Sequence, residues 1–242
     1  TGNLNQLHLA FCGLTRFLNS RPANKTARIG FDLRGNRLTE MPILQDPNVS
    51  YLWLDSNDIE LKTGVFDTFY GTREVSLGNY KITSLTPIKE LNETLEVLIL
   101  SGSDLSPFTG MELSNLVASL PHLVKMDLDK CNLIAFPDLR PLNRTTSLNI
   151  ILAGNPLACD CRLAWFIGEN FSTRYHFDLK CASPPLLEGR LVKDITVMDL
   201  CPGEMNLRFM TTPNQYIIYF QFIHPIKLIF TVRVFESLQT VK

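Results

Sequence analysis

The sequence predicts an α/β solenoid, in which short parallel strands share one core and are joined by loops and helical turns. Two observations carry this: an apolar frame that recurs seven times, and four cysteines that follow the last recurrence directly. Composition agrees, since 242 residues at 45% apolar and 19% charged can bury a substantial core and are too apolar for a disordered chain. A net charge of −1 argues against a nucleic-acid partner or an electrostatic membrane footprint.

The frame is L-x-x-L-x-L-x-x-N-x-L, with substitutions. It reads LNQLHLAFCGL (4–14), RIGFDLRGNRL (28–38), VSYLWLDSNDI (49–59), TREVSLGNYKI (72–82), LEVLILSGSDL (95–105), LVKMDLDKCNL (123–133) and SLNIILAGNPL (147–157). The Asn slot holds Cys12, Asn36, Asn57, Tyr80, Ser103, Cys131 and Asn155, at steps of 24, 21, 23, 23, 28 and 24 residues.

Alternation in x-L-x-L-x has period two and gives a short strand with one apolar face inward. Such strands are too short to stand alone, so neighbours stack into a parallel sheet. An inward Asn satisfies backbone groups where the chain leaves the strand, and Ser or Cys does so more weakly. Tyr80 is too large for that role, so a local distortion is expected there. The remainder of each unit is bulkier than its strand, which puts the sheet on the inner side of an arc. In the 28-residue step, Thr109 and Glu112 form a capping box, and Leu113, Leu116, Val117 and Leu120 share one face. A true outer helix ending at Pro121 is expected.

The stretch NPLACDCRLAW (155–165) sets two cysteines one residue apart. A bridge between them would strain so small a loop, so each needs a distant partner, and Cys181 and Cys201 are available. The spacing favours disulfides over zinc, whose cysteines come in pairs two to four residues apart, and C-x-x-C redox chemistry is absent. Spacing alone leaves three connectivities open.

Residues 1–157 resemble the leucine-rich-repeat family. Residues 155–201, with NPLACDCRLAWF, CASPPLLEGRLVKDI and the final Cys201, closely resemble the cysteine-rich C-terminal flank of its extracellular members. The resemblance implies a horseshoe with a parallel concave sheet, and pairing of Cys159 with Cys181 and of Cys161 with Cys201. It also implies adhesion receptors, guidance factors, Toll-like ectodomains or secreted matrix proteins, and an animal rather than a plant-receptor type of flank. The expected organisation is repeats over 1–157, a cysteine-rich cap over 158–202 and a tail of unknown structure over 203–242. Trp165, with Leu163 and Phe166, is expected to plug the end of the core, which a solenoid otherwise leaves open. Cys12 and Cys131 are expected to be small buried slot residues too far apart to bridge.

Disulfides indicate an extracellular protein, secreted or on the cell surface. Sequons at Asn24, Asn48, Asn92, Asn143 and Asn170 agree, and the first four precede strand frames by one to four residues. They predict a sugar-coated rim where the chain enters the sheet and a barer rim opposite. The chain starts at Thr1 without a leader or a cysteine-rich cap before Leu4, so further residues upstream are expected in the natural chain. Residues 216–232 are the one membrane candidate, although Gln221, His224, Pro225 and Lys227 interrupt them. The tail reads as a strand pair, a weak membrane anchor or a segment outside the mature domain, so anchoring stays open.

No catalytic constellation is visible. His8, His122, His176 and His224 are scattered, and no H-E-x-x-H, G-x-S-x-G or phosphate-binding glycine loop occurs. The expectation is a non-enzyme without cofactor or metal. Function is then sought on the concave face, where the frame places Asp32, Arg34, Tyr51, Trp53, Asp55, Glu74, Val97, Ile99 and Asp127, with Gln6, His8, Ala10, Phe11, Ser56, Ser76, Lys125, Asp129, Lys130, Asn149 and Ile151 also pointing outward. Tyr51 and Trp53 beside Arg34 are residue types that dominate protein-binding energy. The leading reading is a recognition or adhesion module that takes a protein ligand or co-receptor on this face. The alternative is a non-catalytic structural or matrix subunit that stabilises a companion protein or enzyme.

Overall fold

A computed structural model describes residues 6–19, 28–44, 49–69, 71–135, 137, 139, 148–167, 179–202, 205–212, 215–222 and 231–234. Residues 19, 165, 166 and those from 205 onward are described by backbone alone. The strands of the repeat are β1 (Gln6–His8), β3 (Ile29–Asp32), β5 (Val49–Trp53), β6 (Glu74–Ser76), β7 (Val97–Ile99), β8 (Lys125–Asp127) and β9 (Asn149–Ile151). They form one parallel sheet in exactly that order, each paired with its sequence neighbours in the frame. A minor parallel pair, β2 (Leu18–Asn19) with β4 (Ile43–Leu44), lies outside it.

The inward leucines account for this order. Leu33, Leu54, Leu77, Leu100 and Leu128 are fully or almost fully buried, and so are Phe31, Leu52, Val75, Leu98, Met126 and Ile150 on the strands. Each short strand therefore exchanges its exposed apolar side for contact with the coils before and after it. Among the described residues the helical elements of the outer layer are a single turn α1 (Thr86–Lys89), the helix α2 (Gly110–Ser119) and a 3-10 turn at Asp67–Phe69. The α2 helix starts where the sequence predicts. Thr109 Oγ1 accepts from Glu112 N–H (3.2 Å), and the Glu112 carboxylate accepts from Thr109 N–H (2.8 Å). Leu113, Leu116 and Val117 are the buried face.

The Asn slot builds a ladder through the core. Asn36, Asn57 and Asn155 donate from Nδ2 to the carbonyls of Leu9, Leu33 and Leu128, each the equivalent leucine one coil earlier, at 2.8, 3.0 and 2.7 Å. Ser103 Oγ donates to Leu77 O (2.9 Å) and Cys131 Sγ to Leu100 O (3.1 Å). Tyr80 does the same: its hydroxyl reaches Leu54 O at 3.0 Å while the ring stays buried. The distortion expected there is absent. β5, β6 and β7 keep an unbroken register, because the longer side chain delivers its donor to the same carbonyl. Burial pushes the Tyr80 phenol well above its usual range, so it stays a donor. Cys131 is buried as expected, but Cys12 is exposed, and its Sγ turns to Ala10 O within its own coil at 3.5 Å.

One backbone position repeats with equal regularity. The residue before each slot has a positive φ: Phe11, Gly35, Ser56, Asn79, Gly102, Lys130 and Gly154, between 53° and 76°. The chain must turn sharply here to aim the slot side chain inward, and the left-handed conformation supplies that turn.

After β9 the chain enters the cap. Cys159 pairs with Cys181 (Cα–Cα 5.5 Å) and Cys161 with Cys201 (Cα–Cα 5.0 Å). Ala158 N–H donates to Ile134 O and Ala182 N–H to Leu157 O, both at 2.8 Å, stitching the cap to the last coils. Leu163, Leu179, Leu187, Val192, Ile195 and Leu200 continue the same core. The helix α3 (Ala164–Ile167) contains Trp165 and Phe166, whose side chains lie outside the described residues, so the proposed plug rests on Leu163 here. A further single turn, α4 (Val197–Leu200), carries a capping box between Thr196 and Asp199. The tail backbone forms an antiparallel sheet of β10 (Met205–Thr212), β11 (Gln215–Phe222) and β12 (Thr231–Val234). Among the described residues no helix is long and apolar enough to cross a membrane.

Candidate functional site

Parallel register turns the frame into rows across the concave face. One row runs His8, Asp32, Trp53, Ser76, Ile99, Asp127 and Ile151, and a second runs Tyr51, Glu74, Val97, Lys125 and Asn149. Arg34 and Asp55 follow their strands and extend the face toward the rim where the chain leaves the sheet. The nine residues singled out from the sequence thus share one surface, but they are not one cluster.

The tight group is at β3, β5 and β6. Asp32 is buried, and its carboxylate takes two bonds from Arg34, Nε to Oδ1 at 2.8 Å and Nη2 to Oδ2 at 2.9 Å. The Arg34 side-chain bond holds Asp32 below the usual carboxylate range against the opposing effect of burial, and the same bond raises Arg34. His8 Nδ1 lies 3.4 Å from Asp32 Oδ2. Anchored in this way, the guanidinium lies 4.6 Å from the Trp53 ring centre, a cation–π contact. Trp53 in turn stands 4.7 Å from the Tyr51 ring at 32°, and its Nε1 donates to Glu74 Oε1 at 2.7 Å.

A β-bulge aims Tyr51. Ile29 pairs with Val49 but Phe31 with Leu52, so Ser50 and Tyr51 together oppose Gly30. The Tyr51 ring lies directly over Gly30, in the space that a Cβ there would take. Burial, followed by the Asp32 and Glu74 charges, raises the Tyr51 phenol, which stays protonated. Two coils bring a flat aromatic surface together because one of them has no side chain at the crossing.

Asp55 is engaged mainly in structure. Its Oδ1 accepts from Ser76 Oγ at 2.6 Å and from Gly78 N–H at 3.1 Å, while Oδ2 is buried without a hydrogen-bond partner. Val97 and Ile99 are half-buried on β7, two strands from Trp53, and Asp127 accepts from Asp129 N–H at 3.0 Å in its own turn. These three lie apart from the aromatic group. Phe11, which the frame also turns to this face, is the most exposed aromatic on it among the described residues, and its N–H donates to Arg34 O at 2.8 Å. Among the described residues no three His, Cys, Asp or Glu side chains converge to hold a metal.

No family model matches the chain. It is similar to the platelet glycoprotein Ib beta chain of Papio cynocephalus, 37% identical over 92 residues, which is 34% of this chain and 42% of that protein. The human platelet glycoprotein Ib beta chain is 39% identical over 88 residues, 31% of this chain and 40% of that protein. Protein toll of Drosophila melanogaster is 29% identical over 179 residues, 63% of this chain and 16% of that protein. The chain thus spans less than half the length of these relatives. Its two disulfides belong to an oxidising, extracellular setting. With stacked coils, a slot ladder running through their core and paired sulfurs after the last coil, the chain has the architecture of a leucine-rich-repeat solenoid closed by a disulfide-bonded, cysteine-rich flank.

Proposed function

We propose that this chain is a non-catalytic recognition module that binds a protein through the concave sheet, with Tyr51, Trp53 and Arg34 at the centre of the contact. The observation that carries the reading is the stack of Arg34 on Trp53 on Tyr51, anchored by the buried Asp32. Large side chains fixed before contact lose little freedom on binding, which is what an interface centre requires. Glu74 belongs to this centre through Trp53, whereas Val97, Ile99, Asp55 and Asp127 serve as surrounding contacts. The likeness to Protein toll and to a platelet glycoprotein chain supports a receptor-type role.

The rim where chains enter the sheet is proposed to carry sugar. Asn92 is exposed in the turn before β7. Asn24, Asn48, Asn143 and Asn170 lie outside the described residues. Glycopeptide mapping of protein from culture medium decides the matter, and unmodified sequons rule out the sugared rim.

A binding screen of the chain against arrayed extracellular protein domains tests the main reading. Trp53→Ala and Tyr51→Ala are expected to weaken a hit by about tenfold or more. Met111→Ala, on the exposed side of the outer helix, leaves it unchanged. The opposite pattern would overturn the concave-face assignment. A second reading has its own support, because the platelet relative is by name one chain of a glycoprotein. In that case the protein co-purifies with a permanent, stoichiometric companion, where a receptor is recovered free of its ligand.

A further inference from the structure

Arg34 is the open end of the aromatic stack. Its Nε and Nη2 donate to Asp32 at 2.8 and 2.9 Å, and the Trp53 ring lies 4.6 Å behind the guanidinium. The remaining nitrogen, Nη1, has no hydrogen-bond partner among the described residues, and 42% of the side chain is exposed. A guanidinium is planar and donates along its edge, so Arg34 offers unpaired N–H groups at one corner and a flat face away from Trp53. The cap holds a useful contrast. Arg162 also clasps the carboxylate two residues before it, Asp160, at 2.6 to 3.0 Å. There both partners are exposed, with side chains 66% and 40% open, and no ring stacks on Arg162 among the described residues. On the concave face the carboxylate is buried and the cation is set against a ring, which fixes the guanidinium before any contact.

The charges around Arg34 define what it can take. Asp32 cancels the positive charge of the guanidinium. Asp55 is engaged by Ser76 and Gly78 with its second oxygen buried, and Glu74 accepts from the Trp53 N–H. Their charges repel an anion, while a cation finds no carboxylate here with both oxygens free. We propose that Arg34, neutralised by Asp32, recognises an uncharged segment of the protein partner. An aromatic side chain of that segment lies on the open face of the guanidinium, and a carbonyl oxygen accepts from Nη1. Asp32 then sets the specificity, because it cancels the charge that would otherwise draw acidic ligands to this surface. The choice of an uncharged ligand rests on the concave-face reading and gives that surface its chemistry.

Panning the full chain against a random-peptide display library tests it. The selected peptides are expected to be enriched in aromatic residues and in neither acidic nor basic ones, with affinities that change less than about twofold as salt rises. Arg34→Lys keeps the charge but loses the plane and the fork, and is expected to weaken them about tenfold. Glutamate scanned through a selected peptide is expected to cost about tenfold at the position facing Arg34, and to be tolerated there on Asp32→Asn. Circular dichroism checks that each variant is folded; if Asp32→Asn is not, Arg34→Lys and the salt series still decide. Acidic or basic peptides overturn the uncharged partner, and glutamate equally unwelcome on folded Asp32→Asn removes Asp32 from the specificity. If Trp53→Ala weakens binding and Arg34→Lys does not, the role of Arg34 is lost and the concave reading stands. Peptides indifferent to both variants overturn the concave reading itself.

Discussion

Replacing Asn57 with alanine tests the slot ladder most severely, because its bonds are not equivalent. Asn57 Oδ1 is the acceptor for the buried Leu38 N–H at 3.0 Å, so Asn57→Ala orphans that donor, at about 1–3 kcal/mol. Its Nδ2 also donates to Leu33 O at 3.0 Å and to Leu54 O at 2.8 Å. Both carbonyls keep another donor, Asn36 Nδ2 for Leu33 and the Tyr80 hydroxyl for Leu54, so each loss is about 0.5 kcal/mol. The total is roughly 3 kcal/mol. Tyr80→Phe removes only the shared bond to Leu54 O and costs about 1 kcal/mol. In the double variant Leu54 O has lost both side-chain donors, so the combined loss exceeds the sum of the single losses by about 1 kcal/mol. Urea unfolding of the oxidised chain, followed by circular dichroism, measures all three. Strict additivity, or a Tyr80→Phe loss as large as that of Asn57→Ala, would refute the idea that asparagine and tyrosine serve one carbonyl from two coils.

Three further outcomes concern other groups. At pH 8 without reductant, iodoacetamide should label exposed Cys12 and spare Cys131, whose thiol burial pushes up to about 12. Intact mass should then show one adduct on the folded chain and two after unfolding, for the two free cysteines. Asp32 is depressed in the folded state by Arg34, so its stabilising effect is complete above the unfolded value, about 3.9, and disappears as pH falls through the lower folded value. The stability gap between the chain and Asp32→Asn should therefore be constant from pH 5 to neutrality and close below about pH 4; a gap that widens in acid sinks the assignment. Gly78→Ala would bring a Cβ to 2.8 Å from the Ser101 carbonyl and against Asp55, and is expected to cost about 1–3 kcal/mol by thermal unfolding.

Period and spacing made most of the solenoid legible. The inward leucines, the strand order and the capped α2 helix all follow from local rules, because each coil repeats the same short-range pattern. Tyr80 was misread for a physical reason. Slot residues were judged by size, whereas the ladder requires a donor within reach of a fixed carbonyl, and a phenol on a long side chain meets that need. Cys12 was misread by analogy with Cys131, although only Cys131 has a preceding coil among the described residues to cover it and accept its bond. The candidate site was legible as residue types on one face. Its geometry was not, because Arg34 on Trp53 and Tyr51 over Gly30 depend on a bulge between two coils that the frame does not encode.

The disulfide-bound end and the slot ladder together give the molecule a direction of failure. Every rung grips the coil before it, so loosening one coil deprives its neighbour of a clasp, while the crosslinked terminus holds the far side shut. Damage within the repeats should therefore spread from coil to coil and halt at the cysteines. The aromatic patch joins β3 to β5 across two such coils. Whatever grips it would act as a clip across the spring.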